Sequence, residues 1–107
     1  MHSARRSRPW FDVRVPATYR TRASRGLGTA SRLSAMGAVI ERATEQAPLG
    51  SRVRLELALP GGELEVTGEV VRRTPDGFAV RFALLCPADE RSLEDLLAKA
   101  EAQESEV

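Results

Sequence analysis

The sequence predicts an all-β domain of about six short antiparallel strands, a barrel or a sandwich, followed by one C-terminal helix. Three observations carry this. Apolar residues alternate with polar ones at period two in stretches from Phe11 to Phe82. Glycine- and proline-bearing turns separate those stretches, with no helical periodicity between them. Only after Pro87 does the apolar spacing change to that of an amphipathic helix.

Residues 1–10 lack periodicity and read as a flexible, arginine-rich arm. Phe11, Val13, Val15 and Tyr19 then fall on one side of a strand, with Asp12, Arg14, Thr18 and Arg20 between them. Pro16 has no N–H to give a ladder, so this strand is expected to be bent or to lie at a sheet edge. Residues 21–28 have loop composition, and a short strand is expected at Thr29–Leu33. Ser34–Gly37 reads as a turn, Ala38–Glu41 as the next strand, and residues 42–51 as a connection.

The clearest hairpin follows. Val53, Leu55, Leu57 and Leu59 alternate with polar neighbours, Pro60-Gly61-Gly62 turns the chain, and Leu64 and Val66 resume the pattern. Gly68 within the return strand suggests a bulge or a bend. Pro75-Asp76-Gly77 makes another turn, after which Phe78, Val80 and Phe82 face one way and Ala79, Arg81 and Ala83 the other. Pro87 with Asp89 and Glu90 marks a helix start, since acids in the first turn meet the positive end of the helix dipole. Leu93, Leu96, Leu97 and Ala100 form the stripe of a helix of about three turns, and residues 101–107 read as a frayed tail.

A chain of 107 residues has room for one domain, here residues 11–100. Such a chain buries roughly two-thirds of its unfolded surface, enough to fold without disulfides. Cys86 is the sole cysteine, which excludes an intrachain disulfide and fits a cytoplasmic home. It reads as a small buried apolar group. No signal peptide follows the basic start, and no apolar run is long enough to span a membrane. Enzyme chemistry finds no support: the one histidine is His2, and no paired carboxylates fall on a pocket-lining element. No metal-ligand spacing and no cofactor motif is present.

The net charge of +1 conceals an asymmetry. Residues 1–32 hold eight arginines against Asp12 alone, a net +7, while the remainder is −6. Arginine forks match phosphates and stack on flat rings, so the front of the chain suits an anionic partner, although a solvated basic leader has the same composition.

Several landmarks, in order, resemble the PilZ domain family. Arg5-Arg6 stands ahead of Val13-Arg14-Val15-Pro16-Ala17-Thr18-Tyr19. Leu33-Ser34-Ala35-Met36-Gly37-Ala38-Val39-Ile40 is similar to the family's Asp-x-Ser-x-x-Gly segment running into an apolar strand. Gly50-Ser51-Arg52-Val53-Arg54-Leu55, Gly68-Glu69-Val70-Val71-Arg72 and Gly77-Phe78-Ala79-Val80-Arg81-Phe82 resemble three further strand signatures. The resemblance covers about residues 5 to 98. It implies a six-stranded antiparallel β-barrel and a regulatory module of bacterial cyclic di-GMP signalling.

In that family an Arg-x-x-x-Arg stretch wraps the dinucleotide, and the Asp/Asn-x-Ser-x-x-Gly segment supplies an acceptor, a hydroxyl and a close-approach glycine. Carried over by position, Arg6, Ser34 and Gly37 match. The second arginine falls at Trp10 and the acidic position at Arg32, and no two arginines in the chain stand four apart. Losing a guanidinium fork and reversing the charge of an acceptor each cost a few kcal/mol, together on the order of 10³-fold in affinity. The expectation is a degenerate member with weak or no cyclic di-GMP binding that acts through protein contacts. Arg5 and Arg8 stand near Arg6, Trp10 can stack on a purine, although beside Phe11 it reads first as a core or edge-packing aromatic, and Arg32 can meet a phosphate, so a rearranged arginine site is the alternative. For Ser34 and Gly37 a purely local role in the turn is an equal expectation. A small nucleic-acid-binding barrel is a weaker alternative, because the five aromatics fall mostly on core positions. Self-association through the helix is a further one.

Overall fold

The structure is a computed structural model that describes residues 10–59, 62–83 and 87–105. Six strands, β1 (Phe11–Arg20), β2 (Arg25–Leu33), β3 (Gly37–Glu41), β4 (Arg52–Leu59), β5 (Gly62–Thr74) and β6 (Gly77–Phe82), precede a single helix, α1 (Pro87–Ser105). The strands close into a barrel in the order β1-β2-β3-β6-β5-β4, with every neighbouring pair antiparallel. Closure leaves no sheet edge, and β1 lies between β2 and β4. The β1–β4 ladder covers only Ala17–Arg20. Pro16 therefore stands where that ladder stops, and the bend takes the form of a bulge between Asp12 and Val15.

The period-two residues fill the interior. Leu33, Ile40, Val53, Leu55, Leu57, Val70 and Phe78 are all fully buried. Tyr19 packs edge-on against Phe78, with ring centroids 5.0 Å apart, an arrangement that aromatic quadrupoles favour. The Tyr19 hydroxyl is satisfied by the backbone of Glu45, whose N–H donates to it at 2.9 Å. Leu93 and Leu97 from α1 join the same core, with Leu96 partly buried beside them.

Four elements differ from the sequence expectation. β2 begins at Arg25 rather than Thr29, because Gly26 and Leu27 pair in register with Tyr19 and Thr18. Gly26 is a strand residue through close approach, since a Cβ there would run into the Tyr19 ring. In β5 the bulge lies between Val70 and Arg72, not at Gly68, and the strand continues to Thr74. Alternation in β6 is incomplete: the outward Ala79 is only 7% exposed, and its neighbour across the ladder, Val39, only 8%. The helix runs to Ser105, five turns rather than three, because the residues after its apolar stripe are good helix formers with no breaker among them. The expected turn residues Pro60 and Gly61, Cys86, the end of the tail and the arm up to Pro9 lie outside the described residues.

Candidate functional site

The sheltered pair Val39 and Ala79 is the floor of a shallow concavity of about 560 Å³ on the outer face of the barrel. Strand register builds it. Arg32 lies across from Val39, Ala79 across from both Val39 and Arg72, and Arg81 across from Gly37. All these residues except Gly37 carry their side chains outward on four adjacent strands. Trp10, Met36 and Val71 complete the apolar part, exposed at 43%, 55% and 44%. The result is an apolar basin rimmed by three arginines.

Trp10 and Arg32 are neighbours within it. The guanidinium carbon of Arg32 lies 5.7 Å from the centre of the Trp10 ring, within cation–π range. Arg32 also approaches Asp12 at 3.9 Å, its direct partner across the β1–β2 ladder. Both side chains of that pair are more than half exposed, so water screens most of their attraction. Arg81 meets Glu69 at 3.5 Å, also across a ladder. Arg72 makes no ion pair among the described residues.

Ser34 and Gly37 shape the turn beside this basin. Ser34 is 1% exposed, and its hydroxyl accepts from the N–H of Met36 at 3.0 Å and of Gly37 at 3.2 Å. Its oxygen is thus engaged beneath the surface rather than presented at it. Gly37 lines the concavity, and a Cβ there would strike the carbonyl of Val80 on β6. The glycine lets β3 and β6 close together under the basin. Of the sequence candidates, Trp10, Arg32 and Gly37 come together, Ser34 sits below them, and Arg5, Arg6 and Arg8 lie outside the described residues.

Sequence reasoning missed Arg72, Arg81, Asp12, Met36 and Val71 around this basin. Each stands on an outward position, where composition alone does not distinguish a rim residue from a solvated one. The available signal was Val39 and Ala79, small apolar residues at positions where alternation calls for polar ones. Among the described residues no cluster of His, Cys, Asp or Glu could hold a metal ion, and no helix is long and apolar enough to cross a membrane.

A closed antiparallel barrel with one helix and a ligand-sized basin on its outer wall defines a small binding module. A family model for the PilZ domain matches residues 4–99, and the chain belongs to that family. PilZ domains are regulatory modules that bind cyclic di-GMP and proteins. Among solved structures, the fold is similar to the PilZ domain of CeSA from a cellulose-synthesizing bacterium, with a TM-score of 0.72 and 17% identity over 87% of this chain and 98% of that one. It is also similar to the PilZ domain of YcgR from Escherichia coli, solved with c-di-GMP, with a TM-score of 0.70 and 18% identity over 96% and 99% of the two chains. The inhibitor of motility MotI/DgrA of Bacillus subtilis matches with a TM-score of 0.70 and 17% identity over 89% of this chain, which spans 50% of that one. No curated protein sequence matched at a significant level.

Proposed function

We propose that the chain is a regulatory PilZ module with weak or no cyclic di-GMP affinity, and that it acts through protein contacts made by the Trp10 face. The observation that carries this is the Arg32 guanidinium. It stands on the rim of the basin, against Trp10 and beside Asp12, at the position where the family pattern asks for an acceptor. A guanine edge offering N–H donors meets a cation there, and a cation has nothing with which to accept them. What remains suits a protein surface. Trp, Met and Arg are the residue types enriched at interfaces, and here an aromatic and two other exposed apolar side chains surround a sheltered floor.

A second reading is favoured by one arrangement. Arg72, Arg81 and the Asp12–Arg32 pair bring other cations and a carboxylate to the same basin, as a rearranged dinucleotide site would require. Calorimetric titration with cyclic di-GMP separates the two. Heat saturating only above about 10 µM, or no heat, supports the degenerate module, whereas a submicromolar Kd assigns the basin to the dinucleotide. Photo-crosslinking in cells tests the protein contact. A crosslinker at Met36 should yield a discrete adduct that one at the somewhat more exposed Leu49 does not, and identical patterns at both positions would remove the interface.

A further inference from the structure

A different part of the barrel sets three arginines side by side across adjacent strands. In the β1–β2 ladder Arg20 lies directly across from Arg25, and in the β1–β4 ladder the same Arg20 lies directly across from Arg54. Three arginines thus stand in one row on the outer faces of three adjacent strands, all exposed. Strands are about 4.8 Å apart, so Arg20 has an arginine directly across from it on both sides, and Arg25 and Arg54 each have Arg20 on one side. Directly opposed like charges destabilise a sheet. Arg54 is offset by Glu65 at 3.2 Å, but Arg20 and Arg25 make no ion pair among the described residues. The hairpin holds them in place. The Thr21 hydroxyl accepts from the N–H of Ala23 at 3.2 Å and of Ser24 at 3.1 Å, and the Thr21 N–H donates to the Ser24 carbonyl at 2.7 Å.

The next outward row, about 7 Å along the strands, is of another kind. Thr18 stands across from Leu27 on one side and from Glu56 on the other. Leu27 is 58% exposed. The two rows line a cavity of about 370 Å³, within the size range of small-ligand sites. One side carries three guanidinium groups, one of them paired with Glu65, and the other offers an apolar contact, a hydroxyl and a carboxylate.

We propose that this cavity is a second ligand site, independent of the Trp10 face, that takes a phosphomonoester of a small molecule. Its phosphate lies on the Arg25–Arg20–Arg54 row. Guanidinium forks match phosphate oxygens, and a dianion relieves the repulsion within the row. The body of the ligand covers Leu27 and Thr18, and a donor on it reaches Glu56. The carboxylates of Glu56, in the cavity lining, and of Glu65, paired with Arg54, stand in the row beside the arginines, where they oppose a uniformly anionic polymer and suit a compact ligand with both an anion and a donor.

Guanosine monophosphate and pyrophosphate are the probes, titrated at constant ionic strength against the full chain and followed by amide and indole NMR shifts. We expect saturable shifts at Leu27, Gly26 and Thr44 with guanosine monophosphate, an unshifted Trp10 indole, and weaker binding of pyrophosphate. Arg20→Gln, at an exposed position, should weaken the nucleotide by about tenfold or more, while Arg32→Gln leaves it unchanged. Three results would overturn the proposal: shifts confined to the Trp10 face, equal affinity in Arg20→Gln, or no shift with either probe up to about 10 mM. Tighter binding of a single-stranded DNA decamer than of the mononucleotide, with steep salt dependence, would replace the small ligand with a nucleic-acid track.

Discussion

The two arginine-bearing faces of this barrel use the same side chain in opposite ways. On the β3–β6 face, Arg32 and Arg81 each stand across a ladder from an acid, Asp12 and Glu69, around an apolar floor. On the β1–β2–β4 face, Arg20 stands across from two more arginines and its charge is left unmatched. The first arrangement offers apolar area within a rim where two of the three arginines are paired, which suits a protein surface. The second offers charge held in register, which suits an anion. Net charge cannot tell these apart. The cross-strand partner can.

The largest effect is expected on the Trp10 face. Exchanging its two departures from the family pattern, Trp10→Arg together with Arg32→Asp, places a fork and an acceptor where the pattern asks for them. Calorimetry should show cyclic di-GMP binding tightened on the order of 10³-fold over the unchanged chain, from two restored charge-assisted contacts. An unaltered affinity would mean these two positions do not decide binding.

Next in size is Gly37→Val, which drives a side chain into the Val80 carbonyl beneath the basin. Denaturant melts should show a loss of about 1–3 kcal/mol, typical of overpacking. A similar cost is not expected for Arg25→Val, at an exposed position on the other face. Trp10→Ala removes the exposed cation–π contact with Arg32 and should cost at most about 1 kcal/mol. A larger loss would place Trp10 in the core rather than at a surface for partners. Smallest is Arg20→Gln, where the sign matters more than the size. Relief of like-charge repulsion should raise stability by a few tenths of a kcal/mol in low salt, and the gain should vanish in high salt. A destabilised variant would show that the row is held by contacts other than those of its own charges.

Much of the fold was legible. Alternation at Val53–Leu59 and Phe78–Val80 placed inward residues correctly because period two is a geometric property of strands. Residues 25–28 have the composition of a loop because two of the four are glycine, a poor strand former, and only pairing with β1 makes them strand. The start of the helix is legible in the sequence and its end is not, since the apolar stripe reports burial and not helix length. At the candidate site, Trp10 and Arg32 were legible as departures from a known pattern. Arg72, Arg81 and Asp12 were not, because each gains its meaning from a residue on another strand, and register is not written in any local stretch of sequence. The row at Arg20 was hidden for the same reason.

Trp10 is the chain's only tryptophan and lies in the basin itself, so its fluorescence reports directly on that face. Titrated with cyclic di-GMP, the unaltered chain should show no saturable change in Trp10 emission below about 10 µM. Saturable quenching at submicromolar dinucleotide would contradict the reading that Arg32 has replaced the acceptor a guanine needs, and would return the basin to the nucleotide.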